Sequence, residues 1–194
     1  LLPICFGAAT KFSQASLDAD KHYTATLGLG RTTTTGDLEG TTLEERPVQT
    51  DRAAIDAVLP RFIGALEQLP PMHSALKHEG RALYEYARQG IEIDRPARAV
   101  TVHAIDVVQW AGERLVVDIR CSKGTYIRTL AEDIGEALGC GAHLAALRRT
   151  RIGSLQVGSA VSLAEIEACL PEQRDKMLAF PDTLLNALPS AELD

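Results

Sequence analysis

Residues 113–139, "ERLVVDIRCSKGTYIRTLAEDIGEALG", decide how this chain folds, because the hydrophobic period changes within them. Leu115, Val117, Ile119 and Cys121 recur at every second position, the pattern of a half-buried strand. Ser122-Lys123-Gly124 interrupts that pattern. From Thr125 onward Ile127, Leu130, Ala131, Ile134 and Leu138 recur at helical spacing, and Gly139 supplies a C-terminal stop. Upstream, "VTVHAIDVVQW" (100–110) reads as a second strand, joined to the first through Ala111-Gly112. The unit is an antiparallel hairpin followed by a helix, which points to an α+β fold rather than to βαβ repetition.

The flanking segments fit that class. "ATKFSQASLDAD" reads as a short helix. In "KHYTATLGLG", Tyr23, Ala25, Leu27 and Leu29 share one face of a strand. "RTTTTGDLEG" reads as a loop and "TTLEERPV" as a strand. "TDRAAIDAVLPRFIG" has Ile55, Val58, Leu59 and Phe62 at helical spacing behind Thr50 as N-cap. The charged stretch from Glu67 to Ala99 is broken by Pro70, Pro71, Gly80, Gly90 and Pro96, and reads as an excursion holding a hairpin and a short helix. "AHLAALRRTRIGSLQV" reads as a strand pair. "SLAEIEACL" reads as a helix with Ser162 and Glu165 in capping-box spacing.

Composition narrows the function classes. The chain has 194 residues, 45% hydrophobic and 24% charged, enough for one sizeable core. No apolar run reaches the ~18 residues of a membrane span. The four cysteines are scattered, without zinc or C-x-x-C spacing, so a reduced cytoplasmic protein without metal is expected. A net charge of −6 weighs against a nucleic-acid partner, but it is unevenly distributed. Residues 164–194 hold seven acids and two bases, leaving 18 bases and 19 acids before them. Within that neutral body, Ala137–Ala164 has no acid and carries His143, Arg148, Arg149 and Arg151. The opening "LLPICFG", without methionine, and the ending "LPSAELD" suggest a piece of a longer protein.

The loop "CSKGTYIR" (121–128) admits three chemistries. A cysteine phosphatase loop sets five residues between thiolate and arginine, so that loop amides and guanidinium converge on one phosphate. Here six residues separate Cys121 from Arg128, and Cys121 lies on the apolar face of its strand. A P-loop needs G-x-x-x-x-G-K-[ST], which is absent, although Lys123-Gly124 could still meet an RNA phosphate. The third reading presents Tyr126 and Arg128 at a helix start. Its plain alternative is an Arg128–Glu132 pair at i,i+4, and residue chemistry alone leaves the two level.

Beyond this loop, "LLPICFGAATKFSQ", "DADKHYTATLGLGRTTTTGD", "PPMHSALKHEGRALYEYARQGIEI" and "CSKGTYIRTLAEDIGEALGCGAHLAALRRTRIG" together resemble the bacterial TruB family of tRNA pseudouridine-55 synthases. The resemblance runs in unbroken order from residue 1 to about 165. It implies an α+β pseudouridine synthase fold: a mixed, mainly antiparallel sheet flanked by helices, with an inserted RNA-binding thumb at about 71–98. Residues 166–194 would be an acidic segment leading toward a further C-terminal domain. The implied reaction isomerises a uridine in the T loop of tRNA, flipped out of its stack, without cofactor or metal. The implied protein is a cytoplasmic monomer whose partner is the tRNA T arm, with no membrane association.

The resemblance also assigns residues. The nucleophilic aspartate lies in a G-A-L-D-P-L-A-T-G motif immediately before the segment matching Leu1–Cys5, so the chain as given lacks it and by itself should bind tRNA without isomerising uridine. Tyr23 matches the tyrosine that stacks on the target base and helps remove its C5 proton; its plain alternative is a core tyrosine. Arg128 matches the arginine paired with the nucleophile. Tyr126 and Leu147 match pocket-lining residues, Leu147 being otherwise an ordinary core leucine. Lys77, Arg81, Arg88 and Lys123 are candidate phosphate contacts. Where the family often shows R-T-D-T-x-D, this chain has Thr33 at the first acidic place and Asp37 at the second.

Overall fold

The structure, a computed structural model, describes residues 1–185. After a 3-10 turn at Gly7–Phe12, helix α1 (Ser13–Asp18) leads into strand β1 (Lys21–Leu29). Strands β2 (Arg31–Thr33) and β3 (Thr42–Glu45) form a small ribbon. Helix α2 (Arg52–Val58) tightens to a 3-10 turn at Leu59–Phe62 before β4 (Gly64–Gln68). The excursion then carries β5 (Lys77–His78), β6 (Arg81–Ala82) and α3 (Leu83–Ala87). Strands β7 (Arg98–Ala111) and β8 (Arg114–Cys121) precede α4 (Ile127–Ala137), β9 (Ala142–Ile152), β10 (Leu155–Gln156) and α5 (Leu163–Ala168). The main sheet has the order β10-β9-β1-β8-β7-β4, with every ladder antiparallel. It is the expected α+β architecture.

The period-two reading of 115–121 sets the core. Leu115, Val117 and Cys121 are fully buried, as are Ala25 and Leu27 opposite them on β1. Leu130, Ala131 and Ile134 of α4 press on this face, and Val102, Ile105 and Ile55 complete the cluster. Gly135 lets the helix approach β9, since a Cβ there would overlap the backbone of Ala142. Pro71–Arg98 does form a hairpin and a short helix. The hairpin turns on Glu79-Gly80, both at positive φ as a two-residue type I′ turn requires.

Several boundaries differ from the sequence reading. Asp51 rather than Thr50 caps α2, its carboxylate accepting from the Ala54 N–H at 2.8 Å. Residues 64–68 form an edge strand the sequence reading missed, because five residues beside a proline pair carry little periodic signal. Arg31–Thr33 is a strand rather than loop, since β3 pairs with it. Helix α4 starts at Ile127, two residues later than read, because Tyr126 stays extended as its cap. The capping box of α5 is present in both directions. Residues 186–194, the end of the acidic segment, lie outside the described residues.

Candidate active site

The change from strand to helix after Cys121 places Arg128 at the second position of α4, and its side chain reaches away from the helix. Its Nη1 lies 3.0 Å from Asp37 Oδ2 and donates to the Thr35 carbonyl at 3.0 Å. Its Nη2 donates to the His73 carbonyl at 3.2 Å. The arginine thus binds the β2–β3 loop and the root of the excursion to the head of α4. Asp37, rather than the alternative i,i+4 partner Glu132, makes the charge-assisted contact, and it comes from outside the helix.

Asp37 is held in turn. Its Oδ1 accepts from the Thr35 hydroxyl at 2.6 Å and the Glu39 N–H at 3.1 Å. Thr33, which departs from the family pattern, is buried and donates its hydroxyl to the Asp37 carbonyl at 2.7 Å. A parallel bridge between Asp37 and Leu144 ties the loop to β9. Glu132 lies below, its carboxyl against Gly36, where a Cβ would come within 2.8 Å of it. Burial first, then the neighbouring Asp133, push the Glu132 carboxyl up to about 6, while Arg128 draws it down and Asp37 adds to the rise.

Tyr126, the α4 cap, is bracketed by a glutamine that the sequence reading passed over. Gln68 at the end of β4 accepts from the Tyr126 N–H at 2.9 Å and donates to the Tyr126 carbonyl at 3.3 Å. Gln68 is 3% exposed, so this exchange satisfies an amide that burial would otherwise penalise. Tyr23 lies on β1 opposite Ile119 and Arg149, half-buried against the core. Burial pushes its phenol up, and the adjacent Arg149 offsets part of that rise. Leu147 faces Ala25 across the ladder and is 46% exposed, not a packed core leucine. Paired positions share a sheet face, so Tyr23, Leu147 and Arg149 belong to the face that carries α4.

The proposed phosphate contacts have diverse surroundings. Lys77 is exposed. Arg81 pairs with Glu85 at 3.1 Å and sits over the Tyr86 ring, while Arg88 sits over the Tyr84 ring. Lys123 meets Asp18 at 2.6 Å. Cys121 is buried, and burial pushes its thiol up to about 11, so it supplies no thiolate and the phosphatase reading fails. Among the described residues no His, Cys, Asp and Glu cluster is arranged to hold a metal, and no helix is long and apolar enough to cross a membrane.

The sequence model of the TruB family pseudouridylate synthase N-terminal domain matches residues 1–127, and that of the tRNA pseudouridylate synthase B C-terminal domain matches 128–188. The chain belongs to the TruB family. It is 58% identical over 196 aligned residues to tRNA pseudouridine synthase B of Cupriavidus pinatubonensis, covering 100% of this chain and 62% of that protein. For tRNA pseudouridine synthase B of Burkholderia mallei the figures are 54%, 100% and 64%. The chain therefore spans less than two thirds of the length of these TruB relatives. Among solved structures it resembles a chain of a Cbf5-Nop10-Gar1 complex, with TM-score 0.67 and 27% identity over 95% of this chain and 46% of that one. A chain of an H/ACA RNP bound to a substrate RNA shares the fold at TM-score 0.58 and 22% identity, covering 90% of this chain and 42% of that one.

Proposed function

We propose that the full-length protein isomerises a uridine in the T loop of tRNA, at position 55, to pseudouridine. The observation that carries this reading is the fixed guanidinium of Arg128, held by Asp37 and two carbonyls at the head of a helix that packs against the strands carrying Tyr23 and Leu147. In the isomerisation, the bond from ribose C1′ to N1 breaks and one from C1′ to C5 forms. N1 gains a proton and C5 loses one, so the atoms balance without oxidant or metal. The chain's residues would hold the flipped base between Tyr23 and Leu147, with Tyr126 closing the pocket. The tyrosine hydroxyl is available for proton transfer at C5.

Arg128 would keep the family's nucleophilic aspartate ionised and aimed. That aspartate belongs to the motif preceding the Leu1 segment. Leu1 is hydrogen-bonded to Arg149, the residue opposite Tyr23, which supports its arrival beside the tyrosine. The excursion at about 71–98 serves as the RNA-gripping thumb through Lys77, Arg81 and Arg88, with Lys123 adding a contact. The acidic segment from 166 leads toward a further C-terminal domain. The protein acts as a cytoplasmic monomer on the tRNA T arm.

Tritium release from tRNA labelled at uridine C5 tests this reading directly. The full-length protein should release label from one uridine per tRNA. Absence of release from that protein would refute the function.

A further inference from the structure

Arg149 stands at a junction the family assignment left unused. Arg149 Nε donates to the Leu1 carbonyl at 2.9 Å, and the Leu1 amino group donates to the Arg149 main-chain carbonyl at 3.1 Å. Its strand position is directly opposite Tyr23, and its guanidinium lies close enough to the phenol to counter the effect of burial there. Arg149 has no carboxylate partner among the described residues. It also sits near a second cation, Lys21, whose ammonium is half-buried and donates to the Leu17 and Ala19 carbonyls at 2.6 Å each. A guanidinium with no acid partner, near another cation, gains nothing from ion pairing within the described structure. Its Nε bond to the Leu1 carbonyl and its place across the ladder from Tyr23 are what it contributes.

We propose that Arg149 is a positioning residue that fixes the chain at Leu1 relative to Tyr23, and so sets the spacing between the nucleophile's segment and the tyrosine. This rests on the pseudouridine synthase reading. Nε holds the Leu1 peptide and the residue stands directly across the ladder from Tyr23, so one residue registers two parts of the site. Lysine keeps the charge but has a single donor centre and cannot serve both partners in that geometry.

The test uses the full-length protein, with Arg149→Met and Arg149→Lys compared under single-turnover conditions. Arg149→Met should slow pseudouridine formation about 10-fold or more while tRNA affinity changes less than about 3-fold, and Arg149→Lys should recover part of the rate. A separate readout is the tyrosine Cζ resonance followed by NMR against pH, with Tyr23→Phe identifying the signal. Arg149→Met should move the Tyr23 titration upward. An inactive wild-type protein would refute the function itself, whereas the resonance titration still tests the Arg149–Tyr23 contact. An active wild type with unchanged Arg149→Met rate, or a rate loss fully matched by lost tRNA affinity, would overturn the positioning role.

Discussion

Arg128 donates to two carbonyls and an acid that come from three different positions in the chain, and that geometry uses the planar fork of a guanidinium. Arg128→Lys in the full-length protein should therefore lower the isomerisation rate by about 10²–10³-fold, with folding and most tRNA binding kept. A rate within a few-fold of wild type in a single-turnover assay would remove the arginine from the chemistry. Glu132 makes a second prediction at this scale. Its carboxyl titrates near 4.5 when solvated and is pushed up to about 6 in the fold, facing Arg128, Asp37 and Asp133. A raised carboxyl favours the folded state when protonated, so its contribution is full below pH 4.5 and is lost as pH rises through about 6. The loss amounts to at most about 2 kcal/mol, reduced by whatever water reaches the group. Glu132→Gln should flatten this stretch of the stability profile measured by urea unfolding, and an unchanged slope would argue that the carboxyl is solvated.

At the scale of elements, the head of α4 is fastened to β4 through Gln68. Gln68→Leu strips the Tyr126 N–H of its partner, leaves the Tyr126 carbonyl only the Leu130 N–H, and should cost about 1–3 kcal/mol in urea unfolding. An effect below about 0.5 kcal/mol would mean that water replaces the amide without penalty. This contact was not legible in advance, because a single polar residue at the end of an unread strand carries no periodicity. By contrast, the alternation in 115–121 and the helical spacing in 127–134 predicted the buried face, since both patterns repeat against one core, although Leu138 is only partly buried and Val116 is buried as well. Arg128 could be singled out, but its partner could not. The local rule proposed Glu132, and only folding brings Asp37 to the guanidinium from 91 positions upstream.

Over the whole molecule, charge is sorted rather than balanced. The net value of −6 hides a nearly neutral body and an acidic end, so average charge misstates the surface an RNA would meet. If the excursion grips phosphates, tRNA affinity should fall steeply with salt. Replacing Lys77 and Arg88 by alanine should then lower the log–log salt slope by about 1–2 units while changing stability by less than about 0.5 kcal/mol. An unchanged slope would assign the grip elsewhere. The root of that excursion is joined to α4 twice, through Gln68–Tyr126 and Arg128–His73. If the excursion captures RNA, a tug on it would reach the guanidinium through the His73 carbonyl and the head of α4 through Gln68. Recognition and bond-making would then be geared together, so a tRNA that seats badly should be isomerised slowly even when it stays bound.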